Sequence, residues 1–480
     1  MMETSLRRAG RVLVVVAAGV LVSAAPAHAS STQLSVIEDE HQMLELGPAV
    51  QAQALDDAAA LGADVVRANV IWARYAPSPD SKKKPKGFDA KNPTSYPALA
   101  AVDGLVNNAQ ARGLQVLLTV TGPIPAWASK CGGSVKTRHT CKPDPTLFGQ
   151  FVRAVGKRYP TVKMWSIWNE PNLRPWLTPQ YTGSTLEGAV VYRNLARSAI
   201  AGLRGTGHRG DQILLGETAP IGNKPGPAAN ANPEPFLRAV FCLKSNGHRL
   251  TGSAAAKLKC SGFKKLSVTG FAHHPYTRGG SRPPTSKPNR GEITAAVASR
   301  LTKLLDQAGK AGRVPKKLPV YYTENGWQTN PPDQIFGVLP DYQAAYMNQS
   351  DEMAYRNSRI KAVAQYKLID DADPGSFQSG VRAIDGTPKP SYAAYQLPIW
   401  VTKKGANVHI YGQVRPAADS AALSVDVQHA SSAGSGFTTV QTVAVSSLKG
   451  QFTVDLPDPG GGVWRLRWNN LTSRQAGVGS

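Results

Sequence analysis

The sequence predicts an α/β fold, a (β/α)8 TIM barrel followed by a small all-β sandwich domain. From about residue 33 to residue 400, strand-like apolar runs alternate with helical stretches, as in a parallel sheet covered by helices. Beyond Trp400 the runs become short and mostly alternating, with Gly, Ser and Pro turns between them, which is typical of a sandwich. An open doubly wound sheet is the structural alternative, but no glycine-rich phosphate loop follows the first strand.

The barrel needs eight strands, and eight apolar runs supply them. They are Leu34–Ile37, Val65–Val70, Gln115–Thr121, Lys163–Trp168, Gln212–Leu215, Ser267–Ala272, Val320–Thr323 and Val363–Leu368. The clearest helices between them are Pro48–Leu61, Tyr96–Arg112, Pro145–Arg158, Ala189–Leu203 and Glu292–Ala308. The sandwich strands are Val408–Val414, Leu423–Gln428, Thr438–Val445, Gln451–Asp455 and Val463–Trp468.

Three segments follow from these patterns: residues 1–29, 30–400 and 401–480. The first has the form of a signal peptide, with basic residues before the apolar run Val12–Ala25 and a small-x-small site at Ala27-His28-Ala29. The alternative is a retained N-terminal anchor, although the apolar run is too short to span a bilayer comfortably. We therefore predict a secreted, extracellular protein with no integral membrane segment after signal removal.

The four cysteines form two pairs that are close in sequence, Cys131 with Cys141 and Cys242 with Cys260. Export permits disulfides, and short loop closure favours this local pairing among the three that are possible. A metal site is the alternative, but neither pair has Cys-x-x-Cys spacing. The sequence thus predicts two local disulfide bonds and no metal.

The net charge of +23 indicates either an attraction to anionic polymers and cell surfaces or simple solubility. The basic residues are dispersed and are not interleaved with aromatic residues in one stripe, so nucleic-acid binding is not predicted. Nothing in the sequence calls for a partner chain, and a monomer is expected.

Glu170 lies in the run Met164–Asn172, in which an apolar strand is followed by an amide, a carboxylate and a proline. Glu324 lies in a second such run, Leu318–Trp327, and each of the two runs also contains tryptophan. Glycoside hydrolysis needs two carboxylates, and flat apolar rings stack on sugars. The pair therefore predicts a carbohydrate substrate, with both glutamates at one rim of the barrel.

At these residues the chain resembles the clan-A glycoside hydrolases, most closely their family 39 and family 5-like branches. The resemblance implies that Glu170 is the acid/base and that Glu324 is the nucleophile of a retaining β-glycosidase that needs no cofactor or metal. There are departures: the eighth strand lacks the tryptophan that often closes the sugar subsite, and the third lacks a histidine that some branches carry. They put the substrate in question more than the reaction.

Arg67 lies inside an apolar strand, where a charge requires a carboxylate partner, and the resemblance makes Glu324 that partner. The resemblance also places His274 and Tyr276 in the site, with the Tyr276 hydroxyl on the nucleophile. Asn169 offers an amide to the sugar 2-hydroxyl, with a turn-forming role as the alternative.

Further substrate-contact residues are expected near the ends of the strands. Glu217 ends strand five and is expected to touch the substrate or to support the pair. The tryptophans near strand ends are candidate sugar platforms, Trp72 and Trp327 first among them, with a core position as the alternative for each. Trp464 and Trp468 share a face of the last strand, which favours a packing module over a carbohydrate-binding one.

The sequence thus predicts a secreted retaining O-glycosyl hydrolase that acts on a polysaccharide or oligosaccharide, with endo action favoured. A non-catalytic polysaccharide-binding protein on the same barrel is the first alternative, and the presence of both glutamates counts against it. A transglycosylase is the second alternative, because it would share every residue.

Overall fold

The computed structural model of the chain describes residues 32–373, 375–416 and 422–480. Eight strands form a closed parallel barrel in chain order, as the sequence predicts. The predicted signal peptide, residues 1–29, lies outside the described residues. The barrel strands are β1 (Leu34–Glu38), β2 (Val65–Ile71), β3 (Gln115–Thr121), β4 (Met164–Ile167), β5 (Gln212–Thr218), β6 (Gly270–His273), β7 (Val320–Tyr322) and β8 (Ile360–Tyr366).

Eleven α-helices lie among the described residues, most of them between the strands. They are α1 (Pro48–Ala60), α2 (Trp72–Tyr75), α3 (Ala100–Ala111), α4 (Val135–Arg138), α5 (Pro145–Arg158), α6 (Glu187–Arg204), α7 (Pro233–Val240), α8 (Gly252–Lys257), α9 (Ala298–Lys310), α10 (Pro340–Tyr355) and α11 (Pro390–Gln396). Helix α5 has the predicted bounds because Asp144 caps its first backbone N–H groups and Pro145 occupies its first position.

Two helices differ from their predicted bounds for local reasons. Helix α9 begins at Ala298 instead of at Glu292, because the Glu292 carboxylate accepts hydrogen bonds from Asn289 and Arg278 in the preceding turn. Helix α3 begins at Ala100, after a short 3-10 turn that starts at Pro97. Helices α7 and α10 follow β5 and β7 and complete the ring of helices around those strands.

The barrel has two apolar layers, as parallel sheets require when both faces are covered. One core lies inside the barrel and draws single residues from successive strands, including Val36, Val65, Leu117, Met164 and Tyr321. The larger core lies between the strands and the surrounding helices. The strands are therefore packed between two apolar cores. This packing holds the C-terminal end of each strand, and the polar residues there, in place.

The C-terminal region is a β-sandwich of two antiparallel sheets, ordered β13-β10-β9 and β12-β11-β14-β15. Its strands are β9 (Ile399–Lys404), β10 (Asn407–Gln413), β11 (Leu423–Ala430), β12 (Thr438–Val445), β13 (Gln451–Pro457), β14 (Val463–Trp468) and β15 (Leu471–Thr472). The first and last of these strands were not predicted. Trp464 is buried in the core that the two sheets share, and Trp468 packs against that core, so neither ring is a free sugar platform.

The sandwich packs against the end of the barrel where the strands begin. Arg415 donates to Ser35 Oγ at the start of β1 and pairs with buried Asp351 at 2.8 Å. Lys449 pairs with Asp64, just before β2, also at 2.8 Å. The sandwich therefore lies at the N-terminal ends of the barrel strands, opposite to the face where their C-terminal ends meet.

Both predicted disulfide bonds are present, Cys131–Cys141 and Cys242–Cys260, each with a Cα–Cα distance of 5.9 Å. Within the described ranges, no helix combines the length and the apolar character that a bilayer crossing requires.

Candidate active site

Polar side chains gather where the barrel strands end. In a parallel barrel these ends meet at one face, which is where TIM-barrel enzymes carry their active sites. Glu170 follows β4, His274 follows β6 and Glu324 follows β7, while Glu217 is the next-to-last residue of β5. The tertiary structure brings all four into one cluster.

Arg67 lies at the centre of this cluster and is completely buried. Its Nη1 donates to Glu324 Oε1 at 3.0 Å and also contacts Glu38. Its Nη2 donates to Asn169 Oδ1 at 2.8 Å and contacts Glu217 Oε2 at 3.3 Å. The pairing of Arg67 with Glu324 that the resemblance implied is therefore present, within a wider network that holds the guanidinium rigid.

His274 joins Glu170 and Glu324. Its Nδ1 lies 3.1 Å from Glu170 Oε1 and 3.3 Å from Glu324 Oε2. One oxygen of each carboxylate and this nitrogen lie within 4.8 Å of one another. The two carboxylates therefore face each other across a narrow gap, and the imidazole of His274 contacts both of them.

The charge of His274 follows from its surroundings. Burial disfavours the cation, but Glu324, Glu170 and Glu217 outweigh burial and raise the pKa of His274 to about 10. The imidazolium donates through both nitrogens, with Nε2 2.7 Å from Glu217 Oε2.

Glu217 supports the cluster and does not reach into the open space of the site. Its side chain is 0% exposed, against 17% for Glu170 and 10% for Glu324. Burial opposes its charge, but Arg67 and His274 lower the pKa of Glu217 to about 2. Of the two roles expected for Glu217, support of the catalytic pair fits this geometry and contact with the substrate does not, because two buried cations enclose its carboxylate.

The backbone turns sharply where it delivers Glu170. Trp168 has φ of +66° and Glu170 has φ of +37°, both in the left-handed region that non-glycine residues rarely adopt. Such positions cost about 1–3 kcal/mol each and persist only where the surroundings enforce them. Here the Asn169 N–H donates to Thr121 Oγ1 at 2.8 Å, and the Glu170 N–H donates to the Glu217 carbonyl at 2.9 Å.

Burial raises the pKa of Glu324 above its ordinary value, while His274 and Arg67 act in the opposite direction. The hydroxyl of Tyr276 donates to Glu324 Oε2 at 3.3 Å, as the resemblance implied. Both oxygens of Glu324 therefore accept from fixed donors, which orients the carboxylate toward the gap.

Trp72 and Trp327, two of the tryptophans predicted as candidate sugar platforms, are both buried. Trp72 is completely buried, with its ring stacked on Phe151 at 5.5 Å, so it belongs to the core. Trp327 is also buried, and its indole N–H donates to the Arg282 carbonyl at 2.9 Å. Trp165, which flanks the acidic motif, is fully buried as well. An apolar strand end favours core packing for its large rings, and that preference prevails here.

Several residues of the network were missed by the sequence analysis. Ser166 and Thr323 donate to Glu217, and Thr119 accepts from Arg67 Nε at 3.1 Å. Each is a small polar residue in or just after an otherwise apolar strand, which is the same signal that drew attention to Arg67. Glu38, the last residue of β1, is also part of the network: it is fully buried against Arg67, and burial raises its pKa well above the ordinary range.

Two aromatic residues lie close together near the end of β8, where the resembling enzymes often carry a tryptophan. Tyr366 is half-buried, and Phe377 is 46% exposed and meets it edge-on at 5.3 Å. An exposed ring beside a buried carboxylate cluster is suited to contact with a sugar. The sequence pattern gave no sign of this pair because the two residues lie on different segments.

A family model, cellulase of glycosyl hydrolase family 5, matches residues 28–245, a range that includes Glu170 and ends before β6. No curated protein matches the chain. Among solved structures, a family 39 glycoside hydrolase from Bacteroides cellulosilyticus is similar, with a TM-score of 0.52, 14% identity, and coverage of 89% of this chain and 81% of that one.

Two further structures are similar at lower scores. A glycoside hydrolase of family 5 from Streptomyces cattleya, solved in complex with GlcNAc, has a TM-score of 0.48, 17% identity, and coverage of 76% of this chain and 79% of its own. A family 30 endoxylanase from Clostridium papyrosolvens has a TM-score of 0.47, 10% identity, and coverage of 90% and 95%. At such identities the likeness concerns the fold.

Over the part of the barrel that carries Glu170, the chain is therefore similar to the glycoside hydrolases of clan A. This match and the carboxylate cluster at the strand ends support O-glycosyl hydrolase activity, and a carbohydrate substrate fits that activity.

Proposed function

We propose that the chain is a secreted retaining β-glycosidase in which Glu324 is the nucleophile and Glu170 is the acid/base. The observation that carries the proposal is the approach of the two carboxylates, whose nearest oxygens lie within 4.8 Å. Retaining enzymes hold their carboxyl groups about 5–5.5 Å apart, whereas inverting enzymes need about 6.5–9.5 Å to admit a water molecule. The gap supports direct attack on the sugar.

In the first step, a Glu324 oxygen attacks the anomeric carbon while the glycosidic C–O bond breaks. The proton of Glu170 passes to the leaving oxygen, and a glycosyl ester forms on Glu324. In the second step, Glu170 takes a proton from water, the water oxygen attacks the anomeric carbon, and the ester bond breaks. The donors on Glu324 favour the carboxylate both before attack and after release.

The other residues of the cluster position these two glutamates. Arg67 holds Asn169 Oδ1, which leaves the Asn169 amide N–H group free to donate to the sugar 2-hydroxyl. His274 keeps the two reacting carboxylates at a fixed separation, and Tyr276 sets the orientation of Glu324. No step of this reaction requires a cofactor.

The decisive experiment is an activity screen of the purified protein on aryl β-glycosides and on plant, fungal and bacterial polysaccharides. Glu170→Gln and Glu324→Gln are compared with the wild type, and Glu352→Gln serves as a matched control because Glu352 pairs with Arg356 at the end of α10, away from the strand ends that carry the site. We expect the first two variants to lose at least a hundredfold in kcat/KM and the control to keep its rate.

Two further measurements test the details. NMR of the first-formed anomer reports stereochemistry, and net inversion would overturn the retaining mechanism. Analysis of product length on a soluble polysaccharide distinguishes endo from exo action, and sugar-transfer products in place of free sugar would identify a transglycosylase. N-terminal sequencing of the exported protein tests cleavage after Ala29.

A further inference from the structure

One stretch of the chain carries positive charge without any negative charge. Residues 235–291 contain eleven lysine and arginine residues and no aspartate or glutamate. The whole chain has 55 basic and 32 acidic residues, so an even distribution would place several acids in this stretch. The basic residues are Arg238, Lys244, Arg249, Lys257, Lys259, Lys264, Lys265, Arg278, Arg282, Lys287 and Arg290.

The Cys242–Cys260 disulfide closes part of this stretch into a loop, residues 242–260, which we call the basic loop. A cleft lies on each side of the basic loop. The first, of about 430 Å³, is lined by Lys257 and Lys259 together with Lys130 and Lys142 from the other disulfide loop. The second, of about 890 Å³, is lined by three cations, Lys244, Arg249 and Lys310. Both volumes fall in the range of ligand pockets.

The cations of the basic loop outnumber the carboxylates near them. The ion pairs at the first cleft are Lys130 with Asp144 at 3.4 Å and Lys142 with Glu187 at 2.7 Å. Glu187 also lines this cleft and interacts with Lys259, so the lining holds four lysines and one carboxylate. The potential of the two clefts is therefore positive.

The backbone of the basic loop is held in place. Besides the disulfide, the buried guanidinium of Arg193 donates to the carbonyls of Leu258 and Lys259 on the loop. The same guanidinium donates to Ala239 and Val240 on α7. A loop whose backbone is already ordered binds a polyanion at a lower entropy cost than a mobile loop.

The two clefts lie toward different ends of the outside of the barrel. The first lies beside the opening turns of α6, which follows β4 and so begins at the catalytic end. The second lies beside the last residues of α9, which ends at the opposite end. Residues of the basic loop line both clefts.

We propose that the basic loop and its two clefts bind an anionic polysaccharide, a chain whose sugars carry carboxylates, and lead it to the catalytic face. The delivery to the site rests on the proposed function, whereas the binding does not. Neither cleft is lined by a phenylalanine, tyrosine or tryptophan, so the base stacking that single-stranded nucleic acids use is missing from these clefts. Carboxylates along a hydrated polymer need only the spaced cations.

The test measures binding of the full chain to polygalacturonate, with dextran as a neutral polymer, at low and at high ionic strength. The variant Lys244→Gln/Lys257→Gln/Lys259→Gln/Lys310→Gln removes four exposed cations that line the two clefts. We expect the wild type to bind polygalacturonate in a salt-dependent way and the variant to bind about tenfold more weakly, because four of the cations that face the polymer are removed.

The control, Lys82→Gln/Lys83→Gln/Lys86→Gln/Lys91→Gln, removes the same charge from exposed lysines on the segment between β2 and α3. We expect its binding to stay within about twofold of the wild type. Equal weakening in both variants would overturn the proposal, because net charge would then explain binding. Absence of binding in the wild type would also overturn it, as would retention of poly(glycerol phosphate) without polygalacturonate.

Hydrolysis of aryl β-glycosides by the same preparations separates the two proposals. The four lysines lie outside the carboxylate cluster, so the loop variant should keep this activity in full. If the wild type fails to hydrolyse any glycoside but loop-dependent binding remains, the proposed reaction fails and the binding surface stands. If hydrolysis is present and binding is lost equally in both variants, the reverse holds.

Discussion

Arg67 Nη1 lies 3.0 Å from Glu324 Oε1, although 257 residues separate the two in the chain. The guanidinium is fully buried, and it also contacts Glu38, Asn169 and Glu217. A buried cation with this many partners supports both the stability of the barrel and the orientation of the proposed nucleophile.

Replacement of Arg67 should therefore destabilise the fold. In Arg67→Met, three buried carboxylates lose their shared cation, and breaking a buried ion pair in this way costs about 3–5 kcal/mol. Urea unfolding, followed by tryptophan fluorescence, gives the free energy of unfolding. The control is Arg74→Met, since Arg74 is 40% exposed and pairs with exposed Glu45, and its cost should stay below about 1 kcal/mol. An equal loss of unfolding free energy in the two variants would show that the buried contacts of Arg67 stabilise the fold no more than an exposed ion pair does.

His274 should make stability depend on pH in the alkaline range. Its folded pKa of about 10 lies above the unfolded value of about 6.5. The stabilisation is thus complete below about pH 6.5 and is lost as the pH rises through about 10, with a slope that approaches about 1.4 kcal/mol per pH unit. The free energy of unfolding of the wild type and of His274→Asn, measured across this range, should differ by that slope.

The neighbouring His273 offers a matched control. Its ring contacts Thr218 and the Ile293 carbonyl, and burial lowers its pKa to about 3. It is therefore neutral throughout the alkaline range. His273→Asn should lower stability without changing the alkaline slope, and a changed slope there would contradict the assignment to His274.

Tyr276 should act on the rate through Glu324. Tyr276→Phe removes the hydrogen bond at 3.3 Å, and a bond to a charged group contributes about 1.5–3 kcal/mol. We expect kcat/KM on aryl β-glycosides to fall about tenfold to a hundredfold. Tyr321→Phe is the control, since it loses a hydrogen bond from Gln212 at the opposite end of the barrel and should keep the wild-type rate. A similar loss in both would point to a general effect on the fold.

Glu217 should shift the pH profile without abolishing the reaction. Glu217→Gln removes one of the charges that raise the pKa of His274, so the alkaline limb of kcat/KM should move to lower pH. Glu170→Gln should instead lower the rate at every pH on substrates with poor leaving groups. If Glu217→Gln abolishes activity at its own optimum in a folded protein, Glu217 takes a direct part in the reaction.

The sequence was a good guide to the elements whose signals are local. The eight apolar runs became the eight barrel strands, and α5 has its predicted bounds because its cap and its first-turn proline lie within its own segment. The carboxylates at the ends of β4 and β7 were found for the same reason. Strand β9 was missed because its pairing with β10 is what defines it.

The sequence was a poor guide to burial at the rim. Trp72 and Trp327 were predicted as sugar platforms because they stand near strand ends, yet both rings are buried. For Glu217 the sequence left open whether it touches the substrate or supports the pair, for the same reason. Position along the chain does not reveal whether a rim side chain points into the open gap or back toward the core, because that depends on neighbours from other strands.

By itself, the sequence determined the barrel, the sandwich, both disulfide bonds and the two glutamates of the proposed reaction, because periodicity, loop closure and strand ends are properties of short segments. Only the tertiary structure decided that His274 joins Glu170 to Glu324, that Glu217 is enclosed by Arg67 and His274, and that the sandwich packs at the far end of the barrel. These features depend on contacts between distant strands, and the charge of each group depends on how deeply those contacts bury it.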